Sequence, residues 1–356
     1  MTEQTLQLPR TLTIAYLLIG LGAFLQIGGG HWDVTWHALE KPETFFTPPH
    51  SVVYAGVILS LSMGILGVIL RVRHKFEARL VKFLQYAVIG SSLQLFSGGF
   101  DSWWHSNFGF DGLLSPPHAL LVSGMILNAL AGVVGLAKIN PVTKPTLPLK
   151  SASVISFTAL WMSSVGMVML FTLPFSEGQH YDFNLDPMFA AMLATITLPI
   201  IGPLIIMLGA RTLPIAYPAT TLMALYMAIN ATTTIVAHPG IAPALPYYLI
   251  NILLAFALDY ILKRKLADSV KALITGAIIG PFFYTLYFPL VTHAFRESIG
   301  IPVEVFITSI SLFQSTYQTV MTSTFIPAIL LGFLGGIIAL AMARKIASVK
   351  KFDTVK

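Results

Sequence analysis

Apolar runs long enough to cross a bilayer, about 20 residues each, recur along the whole chain. They cover roughly 11–30, 50–70, 81–99, 118–138, 151–173, 188–209, 213–235, 247–262, 269–292 and 320–343. The first run has one Arg before it, lacks a small-residue cleavage site and is followed by further spans, so it reads as a retained helix rather than a signal peptide. The pattern predicts an all-α polytopic membrane bundle of about ten transmembrane helices. The stretch 301–319 is too polar for an ordinary span and too apolar for an ordinary loop, and reads as re-entrant or interfacial. The basic, Pro-containing segment KINPVTKPTLPLK at 138–150 is the most linker-like. It divides the chain into a four-helix membrane region, 1–140, a cytoplasmic linker, 141–150, and a six-helix region, 151–356, to which no role attaches.

Composition agrees with the pattern. Of 356 residues 55% are hydrophobic and only 10% charged, against about 25% charged in a soluble globule, and the mean hydropathy is +0.78. The absence of Cys excludes a disulfide scaffold, thiolate zinc, iron–sulfur ligation and a cysteine nucleophile. His, Asp, Glu and Met are left as metal ligands. The net charge of +6 is no nucleic-acid footprint, because the basic residues fall in short runs between spans. With both termini cytoplasmic, all 21 Lys and Arg residues except Lys41 and Arg296 lie inside. The acidic residues lean the other way: Asp33, Glu40, Glu43, Asp101, Asp111, Glu177, Asp182, Asp186, Glu297 and Glu304 all fall outside. Polar chemistry is therefore expected at the extracytoplasmic face of a cell membrane.

That face carries an internal repeat. Residues 33–50 read DVTWHALEKPETFFTPPH and residues 101–118 read DSWWHSNFGFDGLLSPPH, aligned without a gap at an offset of 68. Asp33 pairs with Asp101, Trp36 with Trp104, His37 with His105, and Pro48-Pro49-His50 with Pro116-Pro117-His118. If each odd-numbered helix continues past its apolar run, Asp and His at i and i+4 share one face. The two prolines suit the first turn of the next helix, where a missing N–H costs nothing, which puts His50 and His118 in that turn. Each copy of D-x3-H-x12-H can then close a two-His, one-carboxylate metal site: Asp33, His37 and His50, and Asp101, His105 and His118. Such a donor set suits copper(II), non-haem iron(II) or zinc. Ionisable groups at membrane depth are expensive and mark function by default. Glu43 and Asp111 are expected to orient ligand histidines, and Trp36, Trp103 and Trp104 to line the cavity beside the ligands or to anchor the membrane interface.

These residues resemble a family. Asp33, Trp36, His37, Phe46, Thr47, Pro48 and His50 are similar to the motif of the C subunit of the copper membrane monooxygenases, which include particulate methane and ammonia monooxygenases. The resemblance covers about 25–140. It departs from the family at Asp101, where an Asn is usual, and at Glu43, where Arg-Asp is usual. It implies copper as the cofactor, O2 and a small apolar substrate (ammonia, methane or a short hydrocarbon), and a complex with other integral membrane subunits in lipid. It makes Asp101, His105 and His118 the candidate catalytic set. A non-catalytic copper-binding, delivery or assembly protein, and a zinc or iron membrane enzyme, are the rival readings of the same residues. Clustering of the ligands at outer helix ends rather than midway along several helices favours a fixed site over a transport path.

Elsewhere, His180, His238 and His293 follow no metal template and read as polar helix-end residues. His74 lies in a basic inner loop, and Asp259 is expected to pair with the Lys263-Arg264-Lys265 run at the inner surface. The 13 Met residues are scattered rather than clustered and read as packing.

Overall fold

The structure is a computed structural model. It describes residues 10–38, 41, 42, 44–74, 78–109, 113–139, 146–172, 185, 187–237, 239, 242, 245–282 and 321–348. Ten helices are formed, and no strand is present among the described residues: α1 (Arg10–Ala38), α2 (Pro48–His74), α3 (Ala78–Phe108), α4 (Pro116–Ile139), α5 (Leu147–Thr172), α6 (Pro187–Thr212), α7 (Pro218–Ala237), α8 (Leu245–Lys263), α9 (Asp268–Phe282) and α10 (Met321–Ser348). Seven of them are long and apolar enough to cross a membrane: α1, α2, α4, α5, α6, α7 and α10. The chain thus has the helices of an integral membrane protein. α3, at 31 residues the longest helix among the described residues, falls outside that set. The linker expected at 141–150 is shorter than drawn, since Leu147–Lys150 already form the first turn of α5, where Pro148 is tolerated. The stretch 301–319 lies outside the described residues.

The first four helices form a closed ring in which α1 packs on α2, α2 on α3, α3 on α4 and α4 back on α1. The repeat at offset 68 is the symmetry of that ring, with the α1–α2 hairpin repeated as α3–α4. Both hairpins are drawn together at paired glycines. A Cβ on Gly22 would stand 2.8 Å from the Gly56 carbonyl oxygen, and one on Gly124 would clash with the Gly90 carbonyl. Small residues are what allow such approach where no hydrophobic force acts between helices in lipid.

Between the hairpins lies a buried polar cluster. Gln26 Nε2 donates to Ser60 Oγ (3.1 Å), Gln94 Nε2 and Asn128 Nδ2 both donate to Gln26 Oε1 (3.1 and 3.0 Å), and Asn128 Nδ2 also reaches Ser91 Oγ (3.1 Å). Gln26 and Gln94, and Ser60 and Asn128, stand at equivalent positions of the repeat. These bonds across the helices tie the two copies in a single register, although Gln94 Oε1 is buried without a donor.

The second half attaches through α5, which packs on α4, α1, α6 and α7. At its tightest point Ser156 meets Gly20 of α1 and Gly132 of α4. The largest apolar core runs without a break from Ile27, Val57 and Met125 of the ring into Phe157, Trp161, Leu222 and Tyr226 of α5 and α7. α6, α9 and α10 pack on one another along a further seam, in which Gly276 and Gly332 face one another. Asp259 departs from its expected lysine partners. Its carboxylate accepts hydrogen bonds from Ala219 N (3.1 Å), Thr220 N (2.8 Å) and Thr220 Oγ1 (2.7 Å), so it caps the first turn of α7, where free N–H groups and the helix dipole favour an anion.

Candidate metal centre

Helix boundaries decide where the ligands fall. α1 and α3 run on past their apolar stretches to Ala38 and Phe108, so Asp33 and His37, and Asp101 and His105, share a face one turn apart. α2 and α4 start at Pro48 and Pro116. The residue ahead of each proline pair acts as the cap. Thr47 O accepts from Ser51 N (3.0 Å), while Ser115 O accepts from Ala119 N (3.0 Å) and Ser115 Oγ from His118 N (3.2 Å). Proline occupies two positions whose N–H would have no helical acceptor, and the third residue is the ligand His. The tetrapeptide Thr/Ser-Pro-Pro-His is therefore a helix start that delivers an imidazole.

The two predicted triads form. In each, one ligand atom per residue lies within 4.8 Å of the other two. His37 Nε2 stands 3.4 Å from Asp33 Oδ2 and His50 Nε2 3.2 Å from Asp33 Oδ1; the second copy repeats this with His105 at 3.4 Å and His118 at 3.2 Å from Asp101 Oδ1. Donors held about 2.0–2.1 Å from one tetrahedral metal ion stand roughly 3.3 Å apart, so the spacing fits an ion. The tautomers fit as well. His50 Nδ1 faces Thr44 O (3.2 Å), His105 Nδ1 faces Gly109 O (3.1 Å) and His118 Nδ1 faces Leu113 O (2.8 Å). A carbonyl only accepts, so each of these three Nδ1 atoms carries a proton and each ring turns its Nε2 toward the carboxylate. Two lone pairs facing one another at 3.2 Å repel unless a cation or a proton lies between them. Asp33 Oδ1 and Asp101 Oδ1 are buried, with those imidazole nitrogens as their polar neighbours. The donor set is one that can hold a metal ion.

The triads adjoin. The rings of His37 and His105 stack with centroids 6.4 Å apart and planes at 28°, so ligands 68 residues apart in sequence converge at one end of the bundle.

Other predicted residues distribute unevenly. Trp36 donates from Nε1 to Pro42 O (3.1 Å) and lies under Lys41 Nζ, 4.9 Å from its ring centre, while Trp104 is buried against Phe108 (4.4 Å) and Phe100 (5.9 Å). Neither tryptophan is a freely exposed anchor; Trp103, 53% exposed, is placed for that role. Glu43 and Asp111 lie outside the described residues, as do His180, His238 and His293.

Sequence reading missed two groups. His31, one turn before Thr35 on α1, hydrogen-bonds the Asn230 side chain and meets Tyr226 edge-on at 6.5 Å, with Trp161 5.2 Å beyond. It belongs to no repeated pair, so nothing in the pattern marked it. The glutamine cluster, by contrast, is written in the same offset of 68 as the ligands and was legible there. Compared with models of protein families, with curated proteins and with solved structures, the chain matches none.

Proposed function

We propose that the chain is a component of a copper-dependent membrane monooxygenase, similar to that family's C subunit, and that the complex oxidises a small apolar substrate, such as ammonia, methane or a short hydrocarbon, with O2. The observation that carries this reading is the pair of adjoining triads, each of two histidines and one carboxylate at a spacing that could hold a metal ion. It is joined by the resemblance of the first motif to that family. Asp33, His37 and His50 would hold one ion, and Asp101, His105 and His118 a second. Copper, when bound, supplies an ion that cycles between Cu(I) and Cu(II) and can react with O2. The chain's own residues do the rest. The carbonyls of Thr44, Gly109 and Leu113 fix ring orientation, and each aspartate offsets part of the ion's charge. The apolar helices that carry the site are suited to a bilayer, the phase in which an apolar substrate dissolves. The triads face the extracytoplasmic side in this reading, in company with other membrane subunits.

The test is elemental analysis of copper, zinc and iron per chain, in wild type and in a His37→Ala/His105→Ala double variant purified from lipid. Copper present in wild type and lost in the variant supports the reading and leads to assays of O2-dependent oxidation of ammonia and short hydrocarbons. Zinc or iron lost in the same way keeps the site and removes the copper chemistry. No metal in either sample leaves the histidines as proton-bearing partners of Asp33 and Asp101 and overturns it. For orientation, a Cys at position 112 should react with an impermeant thiol reagent from outside and one at 75 only after permeabilisation; the reverse pattern inverts the topology.

A further inference from the structure

At the end of the bundle opposite the triads, α6, α8 and α10 end and α7 and α9 begin around a cavity of about 430 Å³. Four cationic side chains line it: Arg211 of α6, Lys263 of α8, Lys271 of α9 and Arg344 of α10. Two carboxylates also line it, and both are engaged. Asp259 is occupied by the first turn of α7, and Asp268 pairs with Arg211 at 2.8 Å. Lys263 Nζ lies over the Tyr217 ring, which leaves Arg211, Lys271 and Arg344 as the charges facing the cavity. The Arg211 guanidinium is only partly satisfied, because its Nε is buried and has no acceptor. A buried donor on a charged group without an acceptor is costly, and here it lies in a space with a surplus of positive charge. The remaining wall is apolar, formed by Met207, Ile215, Leu262 and Ala343.

We propose that this cavity binds a phosphate ester, with the oxyanion held by Arg211, Lys271 and Arg344 and the adjoining carbon skeleton against the apolar wall. The depth suits it: the cavity sits at helix ends, where the phosphates of a bilayer lie, and basic pockets between membrane helices are recognised sites for anionic headgroups. The Arg211 fork can give parallel hydrogen bonds to a phosphate, while Lys271 and Arg344 contribute charge. The same chemistry is offered by an anionic phospholipid and by a soluble phosphomonoester. The proposal is independent of the metal reading.

The test uses the full chain and a Lys271→Gln/Arg344→Gln variant, which leaves the Arg211–Asp268 pair intact. Native mass spectrometry reads retention of phosphatidylglycerol against phosphatidylcholine, and the unfolding temperature reads the response to glycerol 3-phosphate. Wild type should prefer phosphatidylglycerol, and the double variant should lose roughly 25-fold in that affinity, at about fivefold per cation removed. Lys265→Gln, outside the cavity, should change nothing. Should the double variant not fold in phosphatidylcholine alone, each single variant carries the test with its fivefold loss. A response to lipid alone assigns a headgroup site. A response to glycerol 3-phosphate, with or without lipid, that is lost in the variant assigns the phosphate itself. Equal retention by wild type and variants, or no preference for phosphatidylglycerol together with no response to glycerol 3-phosphate, overturns the proposal.

Discussion

The two triads share ligands and distances but not surroundings. α1, which carries the first, is packed by α2, α4, α5 and α7, whereas α3, which carries the second, is packed by α2 and α4. The outer face of α3 accordingly exposes Ile89, Leu95, Phe96 and Trp103. The endings differ as well. α3 closes on Gly109, whose φ of 73° needs a residue without a Cβ penalty and lets its N–H reach His105 O (3.0 Å). The equivalent position after α1 is Lys41, whose ammonium reaches the Ala237 carbonyl at the end of α7 and covers Trp36. Ahead of the aspartates, Gly29 lets α2 approach, since a Cβ there would stand 3.0 Å from Pro49 O; its counterpart Ser97 donates a hydrogen bond to Pro117 O (2.5 Å). Duplication preserved the ligand geometry and the half-buried setting of both triads, while packing set α1 among four helices and left apolar side chains of α3 exposed among the described residues.

The sharpest way to break this comparison is to remove one ligand at a time. His37→Ala should lower metal affinity at the first triad by more than about a hundredfold, exceeding the loss typical of an outer partner, and leave the second loaded; His105→Ala should do the reverse. Metal content by elemental analysis checks both, and simultaneous loss from either single variant would show that the adjoining triads load as a unit. Next in size, Gly56→Leu should disrupt the α1–α2 contact, where even a Cβ would lie 2.5 Å from Gly22 O, and cost about 1–3 kcal/mol of stability in detergent unfolding. Asn128→Leu, which strips Gln26 and Ser91 of a donor, should cost about 1 kcal/mol by the same measurement, with an unchanged unfolding curve refuting a stabilising role for the cluster. Lys41→Met should weaken the first site by no more than severalfold and leave the second untouched, since it removes only a cap on α7. The smallest effect concerns the far end. Arg211, by its hydrogen bond and its charge, holds the exposed Asp268 carboxyl below its usual range. A carboxyl whose pKa is lowered by folding contributes stability above its unfolded pKa and loses it as pH falls through the folded one. Asp268→Asn should therefore lower stability slightly at neutral pH, where the pair contributes, and leave it unchanged at pH below the folded pKa, flattening the acid side of a stability–pH curve.

Much of the site was legible because its logic is local. The i, i+4 spacing of Asp33 and His37 needs only a helix, and the proline pair before His50 needs only a helix start, so three ligand positions follow from chain geometry. The glutamine cluster follows from the same repeat once the register is extended inward to Gln26 and Gln94. The partner of Asp259 did not follow, since the nearest cations in sequence were not the nearest donors in space: the open end of α7 came between them.

What the sequence determined by itself was the helical membrane character, the duplicated motif and the membership of each triad, all properties of spacing within one or two helices. Only the tertiary structure decided that the His37 and His105 rings stack, that His31 meets Tyr226, and that Arg211, Lys271 and Arg344 surround one cavity. Those contacts depend on which helix faces pack together, and packing in lipid is chosen by the fit of small residues and satisfied polar groups across helices, which no single segment of the chain contains.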